Sequence, residues 1–165
     1  MAFVRTKTIK GAKYAYLVEN TWGAKGARQK VLKYLGKTLP IPSGHVDADI
    51  GQLTYAEAAT QLVQLTLERA GFTGAPLSRD GVTVDLVTGD VIRNGKRVTL
   101  ASNEGFLCAE TIRQLRDPPP GTHGEIAHAL ATKVLEAGVK VGPDTFAQLF
   151  DKVKPKEEPA KEFYY

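Results

Sequence analysis

Cys108 and the three histidines, His45, His123 and His128, are the residues of this chain best suited to act as nucleophile, base or metal ligand. They do not form a constellation. His123 and His128 stand five apart on a predicted helix, so their side chains leave in different directions rather than meeting on one ion. Cys108 lies among apolar residues, which predicts a small core side chain, and nothing in the spacing brings it to His128. Asp47 and Asp49 alternate like the start of a cation loop, but no third carboxylate follows at a metal-loop spacing. There is no glycine-rich phosphate loop leading into Lys-Ser or Lys-Thr, and no zinc-type cysteine pair. Glu104, Glu110 and Glu125 fall at expected helix starts, where the macrodipole favours negative charge without any catalytic role. These residues predict a non-catalytic protein without cofactor or metal.

Charge is the stronger signal. Residues 1–39 carry nine Lys or Arg and one acid, Glu19, for a net +8; the rest carries thirteen basic and seventeen acidic residues, or −4. A short segment with such a field attracts polyanions and speeds encounter with them. The expected partner is nucleic acid, DNA or RNA. Arg5, Lys7, Lys13, Lys25, Arg28, Lys30 and Lys33 are the expected phosphate contacts, gathered on one exposed surface. Lysines that merely keep a sheet edge soluble are the competing explanation.

The elements that must position these cations are strands. Residues 3–9, 13–22 and 27–35 read as a three-stranded antiparallel meander, with turns at Lys10-Gly11-Ala12 and 23–26, and Gly36 as its end. Alternation puts Tyr14, Tyr16, Val18, Asn20 and Trp22 on one face of the middle strand and Ala15, Leu17, Glu19 and Thr21 on the other. The aromatic face is the larger hydrophobic surface and is expected to cover a core. The alternative is that Tyr14, Tyr16 or Trp22 stacks on bases.

Residues 40–53, with two prolines and two glycines, read as a linker. An α+β domain over 54–153 follows. Its first helix, 55–70, opens on the Thr54/Glu57 capping box. A small β-meander spans 82–100, with Asn94-Gly95 as a hairpin turn. Three helices are then expected, over 104–115, 123–137 and 144–153. Ser102 or Asn103 caps the first, Thr122 and Glu125 the second, and Pro143 opens the third. Residues 154–165 read as a disordered charged tail ending in Phe163-Tyr164-Tyr165, an end suited to docking on a protein partner. With 42% hydrophobic residues, one cysteine, no signal-peptide core at the start and no long apolar run, the chain is expected to be cytoplasmic and free of membrane contact. The scarcity of Asn, Cys and Met hints at a thermophile.

Tyr16-Leu17-Val18-Glu19-Asn20, a short turn, and then Arg28-Gln29-Lys30-Val31-Leu32-Lys33-Tyr34-Leu35-Gly36-Lys37 resemble the N-terminal segment of some insertion-sequence transposases. The resemblance implies a DNA-associated sheet carried by Arg28, Lys30 and Lys33. The catalytic domain of that family, with its three metal-binding carboxylates, has no counterpart here, so at most the module is shared. Val82 to Leu115 looks more weakly like the opening of a response-regulator winged-helix domain, a pattern interrupted by Pro118-Pro119-Pro120. The segments 123–137 and 144–153 could form a helix-turn-helix, but the second has only Lys152 near its end to meet bases, so the pair is expected to pack the core. The sequence therefore predicts a nucleic-acid-binding protein holding phosphates through a basic N-terminal sheet. A ribosome-associated RNA-binding protein and an adaptor using the acidic C-terminal region and tail are the alternatives.

Overall fold

A computed structural model describes residues 2–155. The fold is α+β, with the expected meander at its front: β1 (Ala2–Ile9), β2 (Ala12–Gly23) and β3 (Gly26–Pro40). Next come α1 (Tyr55–Arg69), β4 (Leu77–Arg79), β5 (Val82–Val84), β6 (Val91–Arg93), β7 (Lys96–Ser102), β8 (Gly105–Leu107), α2 (Ala109–Arg116), α3 (His123–Glu136) and α4 (Pro143–Asp151). Among the described residues no helix is long and apolar enough to cross a membrane, and no group of His, Cys, Asp and Glu is arranged to hold a metal.

The two meanders are not separate sheets. β3 runs through Gly36 rather than stopping there, and its last residues pair in parallel with β7, Lys37 opposite Val98 and Leu39 opposite Leu100. One sheet results, ordered β1-β2-β3-β7-β6-β5-β4, with β8 paired to β7. Gly36 sits where β3 leaves β2 for β7. Its φ of +93° suits only glycine, and a side chain there would strike the Arg97 carbonyl.

The segment 41–54 has no helix or strand, but it is packed: Val46 and Ile50 are buried in the main core. That core lies between α1, the short strands β5 to β7 and helices α2 to α4. Ile126, Leu130, Val134 and Leu149 of α3 and α4 are buried in it, as expected of helices that pack rather than read a groove. Both predicted capping boxes are half or fully realised: Thr54 accepts from the Glu57 amide, and Thr122 and Glu125 cap each other reciprocally.

The helix expected from Glu104 starts five residues later. Asn103 takes a φ of +51°, and Asn103 and Glu104 turn β7 into β8 as a tight hairpin. Glu104 is therefore a turn residue, not a helix-start acid. Cys108 then becomes the N-cap of α2, with the Thr111 hydroxyl accepting from its backbone amide. Asp47 serves α4 from a distance: its Oδ1 accepts from the Gly142 amide and the Thr145 hydroxyl, both at 2.8 Å. The tail's expected disorder and its Phe163-Tyr164-Tyr165 end fall in 156–165, outside the described residues.

Candidate nucleic-acid interface

Directly opposed residues on neighbouring strands share a face, so the pairing register sorts the side chains of the N-terminal sheet. Arg5 opposes Tyr16, and Lys7 opposes Tyr14, which in turn opposes Lys37; Tyr16 also opposes Tyr34. Arg5, Lys7, Tyr14, Tyr16, Tyr34 and Lys37 thus lie on one side. On the other side, Ala15 and Leu35 close on Cys108 with Val4 and Leu17 packed around them.

This reverses the expected orientation of β2. The small-residue face meets the body, and the tyrosine face looks outward. The reason is steric: the start of α2 comes down on the sheet at Cys108, and Ala15 and Leu17 leave room for it where tyrosines would not. Tyr14, Tyr16 and Tyr34 instead form a row in the open, with ring centroids 6.4 Å apart for Tyr14–Tyr34 and 5.3 Å for Tyr16–Tyr34. Lys7 Nζ sits 5.4 Å from the Tyr16 ring centre, a cation–π distance. Tyr34 is 52% exposed. Slight burial, followed by its two tyrosine neighbours, raises the Tyr34 phenol above 10, so it stays neutral at physiological pH.

Beyond this row β2 and β3 continue as an arm. Every residue from Asn20 to Tyr34 is exposed, on both faces of the ribbon, and Trp22 near the tip is 84% exposed. The core reading of Trp22 is thereby excluded, and Tyr14 and Tyr16 are only half-buried. A two-residue turn at Ala24 and Lys25 closes the arm, and no acid lies between Asn20 and Tyr34.

The cations do not share one surface, contrary to expectation. Arg5 and Lys7 lie on the tyrosine face, where Arg5 donates to the Gln29 side chain. Arg28 and Lys30 oppose Thr21 and Glu19 on the reverse face of the arm, Lys13 opposes Thr8 on that same side, and Lys25 is in the turn. The split follows from the period of two: Arg28 and Lys30 are in phase with Thr21, not with Trp22. Lys33 is not available to a phosphate as expected. Its Nζ lies 2.6 Å from Oε1 of Glu110, a carboxylate from α2 that also faces Arg97 at 3.3 Å. Burial alone would raise the Glu110 carboxyl; the hydrogen bond from Lys33 and the charges of Lys33 and Arg97 outweigh it and hold the group below 4.5. Lys7, Lys13, Lys25, Arg28 and Lys30 make no ion pair among the described residues.

The tyrosine face extends further than the sequence indicated. Lys37 opposes Val98 on β7, Lys96 lies two residues before Val98, and Arg93 on β6 opposes Lys96. Tyr34, Lys37, Arg93 and Lys96 therefore continue one surface across three strands, β3, β7 and β6. The only sequence signal for Arg93 and Lys96 was that they flank the Asn94-Gly95 turn, which predicts a hairpin and says nothing of its neighbour.

The other chemically capable residues are accounted for structurally. Cys108 is fully buried, and burial raises its thiol pKa, which disfavours the thiolate. His45, His123 and His128 are exposed, and His123 lies against the Phe150 ring. Comparison of the chain with protein-family models, curated proteins and solved structures finds no match.

Proposed function

We propose that this protein binds nucleic acid without reacting with it, holding the phosphate backbone with the cations of its N-terminal sheet and arm. One observation carries the reading: a sheet face bearing Tyr14, Tyr16 and Tyr34 beside Arg5, Lys7 and Lys37 is left uncovered by the rest of the described chain. A face kept outside only for solubility has no use for a row of three tyrosines. Exposed rings interleaved with cations are what a strand of bases and phosphates needs from a protein surface. The arm adds Lys25, Arg28 and Lys30; no acid lies between residues 20 and 34, and Glu19, opposite Lys30, makes no ion pair with it.

The reading is tested by fluorescence anisotropy of a labelled oligonucleotide titrated with the protein over a range of salt. Each phosphate contact releases counterions and steepens the fall of log affinity with log salt by about 0.7 for a single strand and about 0.9 for a duplex. Replacing Arg28 and Lys30 together by Ala is expected to reduce the slope by about 1.4 on a single strand, that is, two contacts at about 0.7 each. Both side chains are exposed, so the fold should survive, as circular dichroism will verify. An oligonucleotide that fails to bind, or a slope indifferent to the pair, would remove the basis for the proposal.

A further inference from the structure

Between the end of the tyrosine row and the β6–β7 hairpin lies a cleft of about 580 Å³. Tyr14 and Tyr34 form one wall, Lys37, Arg93 and Lys96 the rim, and Leu39 and Val98 are among its apolar lining residues. We infer that this cleft holds an unpaired base of a single-stranded nucleic acid, clamped by its flanking phosphates. The inference rests on the nucleic-acid reading above and narrows it to a ligand class.

Its volume falls in the range of about 300–1,000 Å³ typical of small-ligand sites. The three rim cations arrive from β3, β6 and β7, and none is engaged by an acid among the described residues. Arg97, which follows Lys96 directly and also lines the cleft, behaves differently: its guanidinium is engaged by Glu110 at 3.3 Å. Lys96 and Arg93 are thus left free while their neighbour is neutralised. Among the described residues no acid lines the cleft. A site built this way repels nothing on a polyanion and offers two rings to a flat apolar ring.

The tyrosines decide between single strand and duplex. In a duplex each base is already stacked on both faces, and the backbone alone meets a sheet surface. A side-chain ring can stack only on a base that is out of the helix. The strand would cross β1, β2, β3, β7 and β6 in turn, four interstrand steps of about 4.8 Å, or about 19 Å of sheet. Arg5 and Lys7 would hold its far end.

The experiment compares a labelled oligo-dT, a labelled oligo-U and a mixed-sequence DNA duplex of equal length, titrated with the full chain and followed by anisotropy. Tyr34→Ala is expected to weaken single-strand binding about 5- to 150-fold, the equivalent of the about 1–3 kcal/mol that stacking on one base contributes. Tyr34→Phe keeps the ring and should restore affinity. The ratio of single-strand to duplex affinity should fall in Tyr34→Ala. Arg93→Ala with Lys96→Ala should flatten the single-strand salt slope by about 1.4. If the wild-type protein binds duplex and single strand, yet Tyr34→Ala changes their ratio in neither direction, the cleft assignment fails while nucleic-acid binding stands. Equal losses for Tyr34→Ala and Tyr34→Phe would likewise overturn stacking. If none of the three probes binds, both readings fall.

Discussion

Replacing Glu110 by Gln would remove the carboxylate that, among the described residues, ties the arm's base to the helical body. Its Oε1 accepts from Lys33 at 2.6 Å and faces Arg97 at 3.3 Å. The Gln carbonyl can still accept from the charged Lys33 and Arg97, so what is lost is the charge–charge part of each contact, about 0.2–1 kcal/mol for a partly exposed pair. Lys33 and Arg97 are 45% and 35% exposed and regain water when released. The loss over the two contacts should therefore stay within about 2 kcal/mol, below the about 3–5 kcal/mol of a charge stranded in a dry interior. Glu110 Oε2 is buried without a partner among the described residues. A Gln NH2 group in its place would be a donor lacking an acceptor, which moves the expectation toward the upper end of that range. The effect must also depend on pH. The folded carboxyl titrates below its ordinary 4.5, so its contribution is present above the unfolded pKa and disappears as pH falls through the folded one. Urea unfolding at neutral and acid pH, followed by far-ultraviolet circular dichroism, measures both. Trp22 fluorescence is a poor reporter, because that ring is largely exposed in the folded chain. A variant as stable as wild type at neutral pH, or a stability gap that persists unchanged into acid, would show that the ion pair contributes nothing.

Lys33→Ala should lower stability in step with the Glu110 variant, and should leave the salt slope of nucleic-acid binding unaltered; a double-mutant cycle with Glu110→Gln checks the coupling and anisotropy the slope. Gly36→Ala should be severely destabilising: its φ of +93° alone costs a residue with a Cβ about 1–3 kcal/mol, and the clash with the Arg97 carbonyl adds to that. Chemical denaturation of that variant would reveal a midpoint near wild type if the β3–β7 junction were looser than described. Asp47→Ala should loosen the start of α4 at neutral pH. Hydrogen bonds from Gly142 and Thr145 hold the Asp47 carboxyl below its usual 3.8, so the wild-type advantage should fade as pH drops through that lowered value; melting temperatures of the two proteins across acid pH test this.

Local chemistry was legible in the sequence and long-range pairing was not. The turn at Gly11, the Asn94-Gly95 hairpin, the Thr122/Glu125 box and Pro143 at the head of α4 are signals contained within a few residues, and each falls where expected. The parallel union of β3 with β7 brings together residues some sixty apart, Lys37 and Val98, and no local pattern encodes such a partner. Alternation separated the two faces of β2 correctly, but hydrophobic bulk chose the wrong one for the core. The decisive factor was clearance beneath α2, a tertiary property. Lys33 illustrates the same limit for the site: its charge was visible, and its partner lay 77 residues away. Arg93 and Lys96 stayed invisible as surface residues of one face until the hairpin was docked beside β3.

Cys108 is the sole thiol of the chain, and it lies sealed between Ala15, Leu35 and the head of α2. That places a natural chemical sensor in the seam joining arm-bearing sheet to body. A disulfide reagent can reach it only when the seam parts, so its rate of modification under native conditions reads out the frequency of that opening. No engineered label is required. Ligands that grip the sheet more firmly when it is docked would slow the reaction, and ligands that lever it away would hasten it.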